Sequence, residues 1–330
     1  MQTRIVAEIA QGYEGDAGLA RLLAHGAVCA GADAVKFQLV YADEIAVPDY
    51  EHYELFRKLE MPYEAWEAVA EIIHRAGKDF FLDVFGERSL REATALGADG
   101  VKIHTADFFN TRFVRATLET APYVIVSLGG VSTQELEDFI ALHDVAPEQR
   151  VCFMYGFQAE PTPVECNNLR RLGILRERFP GYRFGFMDHA AGDSDHAMTV
   201  GFVALGFGIE CIEKHFSLDR ELQLEDFVSA LSPHEFSRFV EGVRNTERAL
   251  GTADLKLTAV ERKYRKTAMK SVVASRDIKR GSTLGEEDLS LLRAGKEGTS
   301  DSFHSVAQVL GRILARDVRR NQRITEEMLI

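Results

Sequence analysis

Ala30-Gly31-Ala32-Asp33-Ala34-Val35-Lys36 and Leu96-Gly97-Ala98-Asp99-Gly100-Val101-Lys102 are two copies of one design. Each ends a helical pattern on Gly, which takes the left-handed C-cap conformation at little cost, and then enters a short apolar strand that finishes on Lys. A helix that turns straight into a strand, twice in one chain, is the mark of repeated βα units. Working outward, strands are expected near Ile5–Ile9, Ala34–Gln38, Phe80–Val84, Val101–Ile103, Tyr123–Ser127, Val151–Met154, Phe184–Met187 and Ile209–Glu213. Amphipathic stretches lie between them, among them Ala17–Ala30, Tyr63–Ala76, Arg112–Thr120, Thr133–Leu142 and Glu165–Phe179. Eight alternations within about 250 residues predict a (β/α)8 barrel rather than an open doubly wound sheet. No GxGxxG follows the first strand, which argues against a dinucleotide-binding fold.

The pattern changes after Leu250-Gly251. Residues 256–270 (KLTAVERKYRKTAMK) are rich in Lys and Arg and carry no strand pattern, so they read as a solvated basic linker. From Ser271 to Ile330 short β-like runs, Gly turns and small helical pieces read as a separate β-rich domain. At about 60 residues it would be marginal alone, and docking on the barrel is expected. The expected division is therefore 1–255, 256–270 and 271–330.

The 330 residues carry 51 acidic and 39 basic side chains, a net charge of −12. That balance argues against a general nucleic-acid or membrane-surface binder, though a local Lys cluster can still receive an anion. No apolar run approaches the roughly 18 residues of a membrane span. Glu8 interrupts the opening segment where a signal peptide needs apolar residues. Cys29, Cys152, Cys166 and Cys211 lack CxxC spacing, so they are expected to be buried free thiols in a cytoplasmic protein.

In a barrel of this kind the chemistry lies at the C-terminal ends of the strands. Most strand ends here carry an ionisable or hydroxyl residue: Glu8, Lys36 with Gln38, Asp83, Lys102 with His104, Ser127, Asp188 with His189, and Glu213-Lys214-His215. Strand side chains alternate faces, so Glu213 and His215 can share one side while Lys214 takes the other. His189 and His215, with carboxylates nearby, predict a divalent metal bound through N and O. Lys36 and Lys102 offer point charges to a carboxylate or phosphate. Gly129-Gly130 could present backbone N–H groups to an anion, with Thr133 capping the next helix.

These residues also carry a family resemblance. Val6-Ala7-Glu8-Ile9 with Gly12-Tyr13-Glu14-Gly15-Asp16, Gly31–Gln38, Pro161-Thr162-Pro163, Asp188-His189 and Glu213–Asp219 resemble the sialic acid synthases. The tail Ser271-Val-Val-Ala-Ser-Arg-Asp-Ile-Lys-Arg-Gly, with Leu310-Gly311-Arg312, resembles the antifreeze-like (SAF) domain that ends them. The resemblance implies a metal-dependent condensation of phosphoenolpyruvate with an open-chain sugar aldehyde, giving a 2-keto-3-deoxy sugar acid and phosphate. It implies a domain-swapped homodimer, in which the tail of one subunit closes the other's barrel. By motif, His189 and His215 would hold the metal, typically Mn²⁺, and Glu14 would be the acid/base. Lys36, Lys102 and Ser127 would hold the donor. Glu213 and Asp226 would line the metal and sugar site, Gln38 and Thr105 would bind substrate, and Arg293 would reach the acceptor across the dimer.

The departures fall on the substrate walls. Gln158 and Glu160 stand where the family carries Asn and Tyr, and Met187 replaces a Ser before Asp188-His189. Asp83 ends the third strand in place of a hydroxyl residue, and a carboxylate beside a phosphate costs energy unless protonated or paired. An acceptor carrying a cation toward Glu160 or Asp83 is one reading. A different donor or a lyase- or aldolase-type reaction on the same barrel is a second, and a non-catalytic sugar binder a third.

Overall fold

Both turns take the conformation their glycines permit. Gly31 and Gly97 have φ of +95° and +71°, closing the helices Ala17–Cys29 and Glu87–Ala95. The structure is a computed structural model and describes residues 2–157, 159–294 and 302–330. The strands are β1 (Arg4–Ala10), β2 (Ala34–Gln38), β3 (Asp79–Val84), β4 (Gly100–Ile103), β5 (Val124–Ser127), β6 (Val151–Tyr155), β7 (Arg183–Asp188) and β8 (Cys211–His215). They pair in parallel and in order, and β1 closes on β8, giving a closed eight-stranded barrel.

Side-chain alternation sorts the strands into two cores. One set, with Ile5, Ala7, Val35, Phe37, Leu82, Ile103, Val126, Phe153, Phe186 and Ile212, packs outward against the helices. The other, with Val6, Ala34, Phe81, Ile125, Cys152, Met154, Met187 and Cys211, fills the barrel interior. Above that apolar plug the same inward rows turn polar. Glu8 follows Val6 on β1, Lys36 follows Ala34 on β2, Asp83 follows Phe81 on β3, and Glu213 follows Cys211 on β8. The register pairs Glu8 with Lys36, Asp83 with Lys102, and Glu8 with His215, so the polar rows meet at one level. The period of two alone carries them there.

The chain folds as two compact units, Met1–Gly251 and Thr252–Ile330. The second unit has its own core, including Val272, Leu284, Leu314 and Ile324, and an antiparallel pair Ser271–Ala274 with Leu289–Leu292. The stretch read as a linker is largely a helix, Ala259–Ala268, with no buried residue. Thr258 accepts from the Glu261 amide while Glu261 reaches back, and Arg265 and Lys266 lie in the last turn. Capping and dipole complementarity support it where burial does not.

Smaller expectations also change. Ser132, not Thr133, caps the helix Thr133–His143. Two thiols are not buried: Cys29 is exposed and Cys166 half-buried, while Cys152 and Cys211 are sealed in. Among the described residues no helix is long and apolar enough to cross a membrane.

A Cβ at Gly185 would overlap Met154 Sδ and lie 2.8 Å from the Cys211 carbonyl inside the barrel. Gly185→Ala is expected to destabilise the barrel by about 1–3 kcal/mol through overpacking. Urea unfolding followed by tryptophan fluorescence measures it, because Trp66 is the sole Trp and lies buried in this unit.

Candidate active site

Glu8 ends the regular part of β1, where the register shifts between Glu8 and Ala10 and Ala10 takes a φ of 50°. That bulge lets Glu8 Oε1 accept from the Ala10 amide at 2.7 Å while Oε2 meets Lys36 Nζ. Lys36 also donates to Asp83 Oδ1 at 2.5 Å and lies 3.5 Å from Glu213 Oε2. Lys102 donates to Glu213 Oε1 at 2.7 Å and lies 3.9 Å from Asp83 Oδ2. All five side chains are essentially sealed from solvent. Three carboxylates thus face two ammonium groups.

Such burial is tolerable only when the charges are mutually paired. Burial pushes the Lys36 ammonium below its ordinary range, against the pull of Asp83 and Glu213. For Lys102 burial acts the same way, but Glu213 and Asp83 overturn it and the group is held protonated. Burial would raise Glu213, yet Lys102 and Lys36 hold it down to about 2. Asp83 Oδ2 and Glu213 Oε2 nevertheless have no hydrogen-bond partner, although both are buried. One layer away, Lys214 turns outward as the alternation requires and pairs with Asp188 Oδ2 at 3.2 Å.

Beside this cluster stand two imidazoles and a carboxylate. The rings of His189 and His215 are 5.0 Å apart at 54°. Glu160 Oε1 lies 3.6 Å from His215 Nε2, and one atom from each of Glu160, His189 and His215 falls within 4.8 Å of the others. Burial pushes His189 down to about 4 and His215 well below its usual value, so both are neutral lone-pair donors. His189 Nδ1 is buried without a hydrogen-bond partner. Burial and the hydrogen-bonded Asp226 push Glu160 up to about 9, a carboxyl that would ionise next to a cation. Ligand atoms roughly 2.0–2.2 Å from an ion stand a little closer together than these do. Two neutral imidazoles, one orphaned nitrogen and an acid suit a divalent metal, with modest contraction.

A cavity of about 290 Å³ joins the two clusters, lined by Glu8, Gln38, Asp83, Lys102, His104, Glu160, His189, Glu213, His215 and Asp226 among others. Ser127 is buried below it, with Oγ 2.7 Å from Thr105 Oγ1 and 3.8 Å from Met187 Sδ. Lys36 is sealed beneath the carboxylates, so a ligand meets their oxygens before it meets this lysine.

Several expected residues lie elsewhere. Glu14 is exposed, at a φ of 53°, and its Oε1 accepts from the Glu225 amide at 2.9 Å. It props the loop that carries Asp226 and does not line the cavity. The carboxylate that β1 brings to the cavity is Glu8, legible only as an inward position at a strand end. His104 was a strand-end residue without a role, and it lines the cavity as well. Arg293 belongs to the second unit, where Nε donates to the Ala268 carbonyl at 3.2 Å. Gln158 lies outside the described residues.

The sequence profile of the NeuB family matches residues 23–254, and that of the SAF domain matches residues 270–330. The chain is 28% identical to the N,N'-diacetyllegionaminic acid synthase of Legionella pneumophila over 88% of this chain and 85% of that one. It is 28% identical to a pseudaminic acid synthase of Campylobacter jejuni, over 98% and 95% of the two chains. With the N-acetylneuraminate-9-phosphate synthase of Mus musculus the identity is 26%, over 85% and 80%. In fold, it matches a sialic acid synthetase from Leptospira borgpetersenii, solved with citrate, with a TM-score of 0.74, 24% identity and coverage of 81% and 93%.

Removing one partner of a buried ion pair costs about 3–5 kcal/mol, because the other charge is left stranded. Lys36→Met, which strands Glu8 and leaves Lys102 alone between Asp83 and Glu213, is expected to lose stability on that scale in urea. The exposed Lys58→Met should stay within about 0.5 kcal/mol of the wild type.

Proposed function

The chain belongs to the NeuB family, and from that premise we propose that it condenses phosphoenolpyruvate with the open-chain aldehyde of a sugar. The product is a 2-keto-3-deoxy sugar acid of the sialic or nonulosonic type, with phosphate released. The observation that carries the reading is the juxtaposition of the Lys36–Lys102–Glu8–Glu213 cluster with His189, His215 and Glu160 around one small cavity.

The roles follow from position. Lys102, at the cavity wall, faces the donor's negative charge, and Lys36 holds the carboxylates around it. C3 of the enol forms a bond to the aldehyde carbon, and the aldehyde oxygen takes a proton. Water adds at C2, giving up one proton to a carboxylate; the C2–O bond to phosphate then breaks as the new C2 hydroxyl gives its proton to the departing phosphate and C2 becomes the keto carbon. In this proposal Glu8 takes that proton, since it lines the cavity with one oxygen fixed on the Ala10 amide and the other beside Lys36 Nζ. His189, His215 and Glu160 would hold a divalent ion, Mn²⁺ in this proposal, which when bound supplies Lewis-acid polarisation. Asp226 and Gln38 would contact the acceptor, and Thr105 with Ser127 the donor. Holding both reactants in one narrow cavity supplies orientation, a large part of the acceleration. A cytoplasmic, domain-swapped homodimer, with Arg293 reaching the acceptor of the other subunit, completes the proposal.

The third carboxylate favours one further reading. Asp83 consumes lysine charge that a phosphate would otherwise meet, and Met187 presents a thioether at the end of β7. Both favour a less anionic donor, or the reverse, lyase-type direction.

Thermal unfolding of metal-stripped protein separates the two, since ligands that bind only the native state raise the midpoint. The synthase reading expects Mn²⁺ to raise it and phosphoenolpyruvate with Mn²⁺ to raise it further. A rise with Mn²⁺ alone, with nothing added by millimolar phosphoenolpyruvate, would favour the other donor. Glu160→Gln is expected to weaken Mn²⁺ binding, read by calorimetry, by at least about tenfold, the scale of losing even an outer-shell partner. Glu8→Gln should lower kcat for phosphate release by about 10²–10⁴, with Mn²⁺ affinity unchanged.

A further inference from the structure

A second chamber of about 620 Å³ opens beside the first, and the two share Gln38 and His104. It lies under the segment between β2 and β3, where the short helices Ala42–Ile45 and Tyr53–Leu59 rise over the barrel mouth. Its far wall is apolar: Ile45, Val47, Tyr50, Phe56 and Phe85. Tyr50 and Phe56 stack at 6.2 Å and 10°, yet Tyr50 is 46% exposed and Val47 64%. Phe85 belongs to the barrel core and Ile45 and Phe56 pack against it, so barrel packing leaves Val47 and Tyr50 unexplained. The acids on this wall are engaged locally. Glu44 accepts from the amides of Arg88 and Ser89, and Asp107 accepts from Asn110.

The partition between the chambers has a defined hydrogen-bonding face. Gln11 Nε2 donates to Gln38 Oε1 at 2.8 Å, which leaves Gln38 Nε2 as a donor and Gln11 Oε1 as an acceptor. His104 Nδ1 accepts from the Ala106 amide at 3.2 Å, so the neutral ring carries its proton on Nε2 and offers a second donor. Donors and an acceptor side by side complement a secondary amide, which presents one N–H and one carbonyl. Behind them lies apolar surface that only an apolar group would desolvate favourably.

We infer that the acceptor carries an amide-linked aliphatic group longer than acetyl: Gln11, Gln38 and His104 read the amide, and the chamber under residues 45–56 takes the tail. The inference rests on the proposed synthase reading, because it places the sugar in the smaller cavity. Continuity through two shared residues puts this chamber within reach of a substituent on a sugar held in the smaller cavity.

The test uses 2-acylamino-2-deoxyhexitols, reduced open-chain probes that cannot react, titrated calorimetrically into the full-length protein with Mn²⁺. Affinity is expected to rise about tenfold or more from the acetyl to the hexanoyl probe, since each buried methylene contributes severalfold. Val47→Trp and Ala46→Trp fill the chamber from its exposed and half-buried walls. Both should abolish that gain while leaving the acetyl probe's affinity within about twofold, the range of a neutral surface change. If the wild type binds all probes alike, the inference falls and the synthase reading stands. If no probe binds while Mn²⁺ does, both fall. If the Trp variants keep the gain but alter the oligomer's elution volume, the apolar wall is a surface between copies and the inference is overturned.

Discussion

Lys36 Nζ among Glu8, Asp83 and Glu213 is the contact on which the rest of the site depends. A fully buried ammonium is stable only if carboxylates surround it, and buried carboxylates only if cations do. Those partners come from β1, β3 and β8, and the second cation, Lys102, from β4. Each strand must therefore hold its register to within one residue, because a slip would turn these side chains out among the helices. The apolar plug beneath, with Phe81, Ile125 and Met154, fixes the height at which the charges meet. Stability and chemistry thus draw on the same five residues.

The architecture was legible because a parallel barrel repeats one local grammar. Gly31 and Gly97 mark where helices stop, and apolar runs of four to seven residues mark the strands. The polar strand ends pointed to a site because Lys36 and Lys102 sit in otherwise apolar runs, where a charge needs a partner. The sequence could not show that the partner of Lys36 is Asp83, 47 residues away, or that Glu213 faces Lys102 across 111 residues. Those pairings are properties of closure. Glu14 was the expected acid/base by motif and Glu8 only a polar strand end; in the structure Glu8 is the one that lines the cavity. The helix Ala259–Ala268 escaped notice because its signal is capping rather than burial.

The family's relatives set a frame in which this chain's departures become intelligible as chemistry. Asp83 is not a carboxylate left beside a phosphate; it is paired. Glu160 sets a carboxyl beside the two imidazoles, and burial with the hydrogen-bonded Asp226 keeps its proton on it. Asp83 and Glu160 set the charge balance at two sides of one cavity on a scaffold of alternating strands. The fold is thereby separable from the surfaces that choose substrates, as is usual for a barrel whose loops and strand ends vary independently.

The pairing of Glu8 with His215 across the seam between β1 and β8 has a consequence for synthesis of the chain. A nascent polypeptide emerging from the ribosome exposes Glu8 and Lys36 early, long before Glu213 and His215 exist. The first four strands can pair Glu8 and Asp83 with Lys36 and Lys102 among themselves, but Glu213 and His215 join only with the last strand. The acquisition of ligand-binding competence then coincides with the final seam. For the same reason, two separately expressed halves of the barrel would have to associate before either could bind anything, and ligand binding would report their reunion.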